Sequence, residues 1–160
     1  MPLPIYLSMA IIVILYLFFM EKPLNFLQNA TIYMVIVFLA TLFITIVRME
    51  LHLMEKSSGH LDYISFLLYR NLLLPVVVMI FINHYLQRIS GENKVFLFFF
   101  ILFILVGLDW LNDYLRIIIF TRWNLFYSGI VNALYLLIAL GVLKMLLNIN
   151  VQESNKDENL

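Results

Sequence analysis

Apolar residues run along this chain in five long blocks, and short polar breaks separate them. The blocks cover about Pro4 to Met20, Leu24 to Val47, Leu61 to Leu86, Lys94 to Phe120 and Asn124 to Leu147. An α-helix needs about 20 such residues to cross a hydrocarbon core of roughly 30 Å, and each block is close to that length. The breaks carry turn chemistry: "MEKPLN" holds Pro23, "EKSSGHLD" holds Ser57, Ser58 and Gly59, and "QRISGENK" holds Ser90 and Gly91. "TRWN" is the tightest connection. The pattern predicts an all-α fold, a polytopic membrane helix bundle with five transmembrane helices and short loops. Residues 1–148 form its transmembrane helical domain. The polar stretch 149–160 has no apolar period and is expected to be a disordered tail. No internal repeat is visible, and an odd number of spans does not suit the simplest inverted-repeat transporter design.

Composition makes the bilayer necessary rather than merely compatible. The chain is 64% hydrophobic and only 12% charged, with a mean hydropathy of +0.97. A soluble domain carries about 25% charged residues, so this apolar excess needs lipid as its solvent. Net charge is zero, which leaves no basic excess for nucleic acid or anionic lipid. The absence of cysteine excludes disulfides, thiolate metal sites and thiol chemistry. The opening "MPLPIYLSMAIIVILYLFFMEKP" has no Lys or Arg before its apolar run and no small-x-small motif after it, so it reads as a permanent span rather than a cleaved signal.

Five spans put the N-terminus and the connections after spans two and four on one side. That side holds Arg48, Lys56, Arg116 and Arg122, against Lys22, Arg88, Lys94, Lys144 and Lys156 on the other. The difference is narrow. The uncharged N-terminal flank and Lys22 tip the expectation toward a cell-membrane protein with its N-terminus outside and its C-terminus inside.

The polar residues within the blocks gather toward the N-terminal side. Span two ends in Arg48, Glu50, His52 and Glu55. Span three begins with Asp62 and carries Arg70 and Asn71. Span four ends with Asp109, Asn112, Asp113 and Arg116, and span five begins with Asn124, Ser128 and Asn132. At 1.5 Å per residue, Arg70 lies roughly 12 Å beyond Asp62, Asn132 roughly 12 Å beyond Asn124, and Asp109 roughly 16 Å before Phe120. Similar depths allow these groups to meet. Asp109, Asp113 and Arg116 follow i, i+4, i+7, which is one helical face. A charge at mid-span costs about 2.5–3.5 kcal/mol on insertion scales, and pairing is the cheapest remedy. Arg70 is therefore expected to pair with Asp109 or Asp113, its fork matching a carboxylate. The candidate binding or polar-network residues are Arg48, His52, Arg70, Asn71, Asp109, Asn112, Asp113, Arg116 and Asn132.

Two features compete with this reading. Trp110, Tyr114, Trp123 and Tyr127 form an aromatic belt of the kind found at membrane interfaces. If span four ends near Tyr114, then Asp113 and Arg116 lie at headgroup level and "IIIF" forms an interfacial turn. Pro75 is expected to break span three near its middle and free a carbonyl of the preceding turn.

Catalytic signatures fail in turn. His52, Glu55 and His60 lack the His-Glu-x-x-His arrangement of a zinc hydrolase and read as a solvated helix end, so no metal is expected. There is no Gly-rich phosphate loop and no Gly-x-Ser-x-Gly. No catalytic residue and no cofactor are assigned. The sequence points to a non-enzymatic integral membrane protein, an accessory, scaffold or assembly subunit of a membrane complex. The alternative is a small transporter or ion-conducting subunit using the Arg70/Asp109/Asp113 cluster. Expected partners are the lipid bilayer and other membrane proteins or further copies of the chain, with no nucleic acid.

Overall fold

A computed structural model of the chain describes residues 2–47, 54–56, 59–88 and 90–157, with the backbone alone for 54–56, 120 and 150–157. Five helices are long and apolar enough to cross a membrane. They are α1 (Pro2–Phe19), α2 (Phe26–Thr45), α3 (His60–Gln87), α4 (Gly91–Tyr114) and α5 (Leu125–Asp157). Asn25 caps α2 in a box with Gln28, whose Oε1 accepts the Asn25 backbone N–H at 2.9 Å. Asn124 caps α5, its Oδ1 accepting the Tyr127 N–H at 3.0 Å.

Helix α3 is the centre of the bundle and packs against the other four. In its most apolar window 61% of residues are buried, against 11% in α1, so α3 is surrounded by protein while α1 is largely peripheral. Every residue from Leu74 to Asn83 is buried. A helix apolar on all faces belongs in such a position.

The break expected at Pro75 takes the form of a π turn over Tyr69–Leu73. Proline has no N–H, and its ring would strike the carbonyl four residues earlier, that of Asn71. The helix widens instead, and the Leu74 N–H reaches back five residues to the Tyr69 carbonyl. The orphaned Asn71 carbonyl is taken by Tyr33 of α2, whose hydroxyl donates to it at 2.6 Å. The π turn therefore carries its own cap from a neighbouring helix.

Span four is shorter than its apolar run suggests. Helix α4 stops at Tyr114 rather than Phe120. Arg116 adopts φ 54°, the left-handed conformation. Its N–H bonds the Asp113 carbonyl at 2.9 Å and the Ile117 N–H bonds the Asn112 carbonyl at 2.9 Å. This is a Schellman ending with Arg116 where glycine is usual. Arg116 is therefore off the helical face of Asp109 and Asp113. The β-branched run then extends as β2 (Ile118–Phe120), antiparallel to β1 (Met54–Lys56), with Glu55 opposite Ile119. Helix α5 departs in the other direction. It continues to Asp157. A helix already nucleated by a long apolar segment extends by one hydrogen bond for each residue fixed.

Candidate functional site

The polar interior is organised around Asp109, on the inner face of α4. Tyr69, the first residue of the π turn, donates its hydroxyl to Asp109 Oδ1. From α5, Asn132 Nδ2 donates to Oδ2 at 2.7 Å. Ser128 lies one turn earlier on the same face and lines the same small cavity as the carboxylate. Ser128 is held in turn by Trp123, whose Nε1 donates to its Oγ at 2.9 Å. Three residues past Asp109, Asn112 accepts the Tyr6 hydroxyl of α1 at 2.8 Å and donates to the Leu108 carbonyl at 3.0 Å. The Tyr6 and Tyr69 rings meet edge to face at 6.5 Å. Tyr6, Tyr69, Asn112 and Asn132 are all buried. Helices α1, α3, α4 and α5 are thus tied together at one depth. Interhelical hydrogen bonds of this kind contribute about 0.6 kcal/mol each in a membrane.

A cavity of about 40 Å³ adjoins the carboxylate, lined by Phe43, Tyr69, Asp109, Ser128, Asn132 and Tyr135 among others. A water molecule needs roughly 10–15 Å³ of such space, whereas organic ligands occupy pockets of about 300–1,000 Å³. The cavity has room for water and not for an organic substrate.

Of the residues expected to gather, Asp109, Asn112 and Asn132 do so. Arg70 does not join the carboxylate. Its Nε donates to Asn71 Oδ1 at 2.9 Å, and its guanidinium lies over the Phe66 ring at 5.3 Å. The reason is rotational. Neighbouring residues on a helix are separated by about 100°, and Tyr69 rather than Arg70 occupies the inward position. Of the two carboxylates expected for Arg70, Asp109 or Asp113, Asp109 is instead held by neutral donors, and the guanidinium makes a cation–π contact. Asn71 serves α3 itself, bonding Arg70 by its side chain and Tyr33 by its carbonyl. Asp113 is half-buried one turn beyond Asp109, and Arg116 is exposed. Arg48 and His52 lie outside the described residues, as do Glu50 and the side chain of Glu55. Among the described residues no group of three His, Asp or Glu side chains is placed to hold a metal.

Neither Tyr6 nor Tyr69 stands among the candidates drawn from the sequence. The signal was present, because a tyrosine inside a membrane block must find a partner for its hydroxyl. The other end of the bundle is also more polar than the sequence suggests. Asn83 Nδ2 of α3 donates to Asn29 Oδ1 of α2 at 2.7 Å, and Asn29 returns to the Leu24 carbonyl at 3.0 Å. Tyr16 Oη of α1 lies 2.6 Å from His84 Nε2, His84 Nδ1 lies 3.2 Å from Gln87 Oε1, and Gln87 Nε2 donates to the Glu21 carbonyl at 2.9 Å. Compared with family models, curated proteins and solved structures, the chain matches none.

Proposed function

We propose that the chain is a non-enzymatic multi-pass membrane protein of the cell membrane, serving as an accessory, scaffold or assembly subunit of a membrane complex. One observation carries this reading: the polar side chains gathered around Asp109 are used on one another. Asp109, Asn112, Asn132, Tyr6 and Tyr69 bond across four helices, and the space left beside them is about 40 Å³. Such a network fixes helix positions and leaves no chamber for an organic substrate beside Asp109. The large apolar side chains on the outside, among them Ile12, Phe18, Phe19, Phe96 and Phe103, suit lipid and the helices of partner proteins. The Lys and Arg distribution supports a C-terminus inside, with Lys22, Arg88 and Lys94 on the cytoplasmic side.

A second reading, a small ion-conducting or transporting subunit, draws on a different observation. Asp109 is held by neutral donors next to a water-sized space. A carboxylate in that setting is suited to exchanging a proton with water.

One experiment separates the two. A strain lacking the gene is complemented with Tyr69→Phe, Asn132→Ala and Asp109→Asn, and the phenotype is plotted against the amount of chain in the membrane. A subunit with a structural interior gives one curve on which all variants fall. A variant present at wild-type level that fails to complement assigns a working role to the altered residue and contradicts the reading.

A further inference from the structure

A groove of about 660 Å³ runs between α1, α3 and α4 at the end of the bundle away from Asp109. Val13, Val77, Ile80, Leu97, Ile101 and Ile104 wall its length. Tyr16, His84, Arg88 and Asn93 line one end of it. The order along each helix agrees. On α3 the lining runs from apolar Val77 outward to Arg88, and on antiparallel α4 from apolar Ile104 outward to Asn93. Each stretch spans eleven helical rises, or roughly 16 Å along a helix axis. A single leaflet is half of a hydrocarbon core of roughly 30 Å. The groove is therefore one leaflet deep, apolar throughout that depth and polar at its outer end.

The polar end has donors to spare. Tyr16 and His84 are engaged with each other and with Gln87. Arg88 and Asn93 are exposed, and among the described residues neither side chain has a hydrogen-bond or ion-pair partner. Glu92, on the adjoining turn of α4, does not line the groove. A guanidinium recognises a phosphate by charge and by its paired N–H groups, and an amide adds a further donor.

We propose that this groove is a binding site for an anionic phospholipid, with one acyl chain along the α1–α3–α4 walls and the phosphodiester headgroup on Arg88 and Asn93. The zero net charge of the chain hides this possibility, because the recognition is local. The site rests on the membrane reading above and is independent of the Asp109 network. Bound there, the lipid fills the space between the peripheral α1 and the core of the bundle.

The test is native mass spectrometry of the full-length chain in detergent with equal amounts of dioleoyl phosphatidylglycerol and dioleoyl phosphatidylcholine. Wild type is expected to retain phosphatidylglycerol about fivefold over phosphatidylcholine, the preference of one arginine near an anionic surface. Arg88→Gln, a change at an exposed position, brings the ratio to near one. Ile104→Trp fills the inner end and lowers retention of both lipids. Lys144→Gln, an exposed basic position on α5, leaves the ratio at the wild-type value. Equal retention of the two lipids by wild type, or an unchanged ratio in Arg88→Gln, overturns the proposal even if Ile104→Trp does not fold. A carbonate wash of the source membranes separates the two levels. A chain that stays with the membrane but shows no lipid preference contradicts the groove alone, and a chain released by the wash contradicts the membrane reading and the groove together.

Discussion

Tyr69 and Asp109 meet because the central helix is locally widened. Tyr69 opens the π turn that Pro75 imposes, and its hydroxyl donates to the Asp109 carboxylate of α4. A backbone irregularity in one helix thereby positions the donor for a charge buried in another. Removing the hydroxyl leaves the carboxylate with Asn132. Tyr69→Phe is expected to destabilise the bundle by about 1 kcal/mol, within the range measured for interhelical hydrogen bonds. Thermal unfolding in detergent reads this as a loss of a few degrees.

The capped π turn makes a rescue prediction. Tyr33→Phe deprives the Asn71 carbonyl of its donor, and an unsatisfied buried carbonyl costs about 1–3 kcal/mol. Pro75→Ala restores an N–H four residues beyond that carbonyl. The double variant Tyr33→Phe/Pro75→Ala is expected to recover part of what Tyr33→Phe loses. Unfolding measurements that find Tyr33→Phe equally costly with Ala at position 75 would show that the proline does not create the orphan.

Arg70 and Asp109 should behave as strangers. Arg70 is occupied by Asn71 and Phe66, so Arg70→Met is expected to cost under about 1 kcal/mol. Asp109→Leu strands the Tyr69 and Asn132 donors and is expected to cost about 3 kcal/mol. The double variant should show the sum of the two. Strong non-additivity in a double-mutant cycle would reinstate the ion pair.

Arg116 holds the left-handed position of a Schellman ending, which costs a side-chain-bearing residue roughly 1 kcal/mol relative to glycine. Arg116→Gly is expected to raise the melting temperature slightly, and Arg116→Val to lower it. A fall in the glycine variant would mean that the guanidinium contributes more than the strain.

The parts of this fold that follow from block length and polarity were legible in the chain. Five apolar blocks and their turn residues locate the five helices, and the depth estimate brings Asp109, Asn112 and Asn132 together. Partner choice at that depth was not legible. One residue of rotation separates Tyr69 from Arg70, and a π turn shifts the helical phase in a way that periodicity does not record. The end of α4 depends on a positive φ at an arginine, which carries none of the signal a glycine gives. The β1–β2 pair joins segments more than sixty residues apart, and nothing local announces such a contact. At the opposite end, Asn83 and His84 find partners on other helices, Asn29 and Tyr16, which periodicity along one helix does not record.

On the proposed reading, the interior around Asp109 holds helices together and conducts nothing. Ion flux through the purified chain in liposomes tests it most directly, with a pH-sensitive dye inside and a proton or sodium gradient across the bilayer. Wild type and Asp109→Asn are both expected to match empty liposomes. Flux through wild type that Asp109→Asn abolishes would contradict the reading and establish the carboxylate as a carrier.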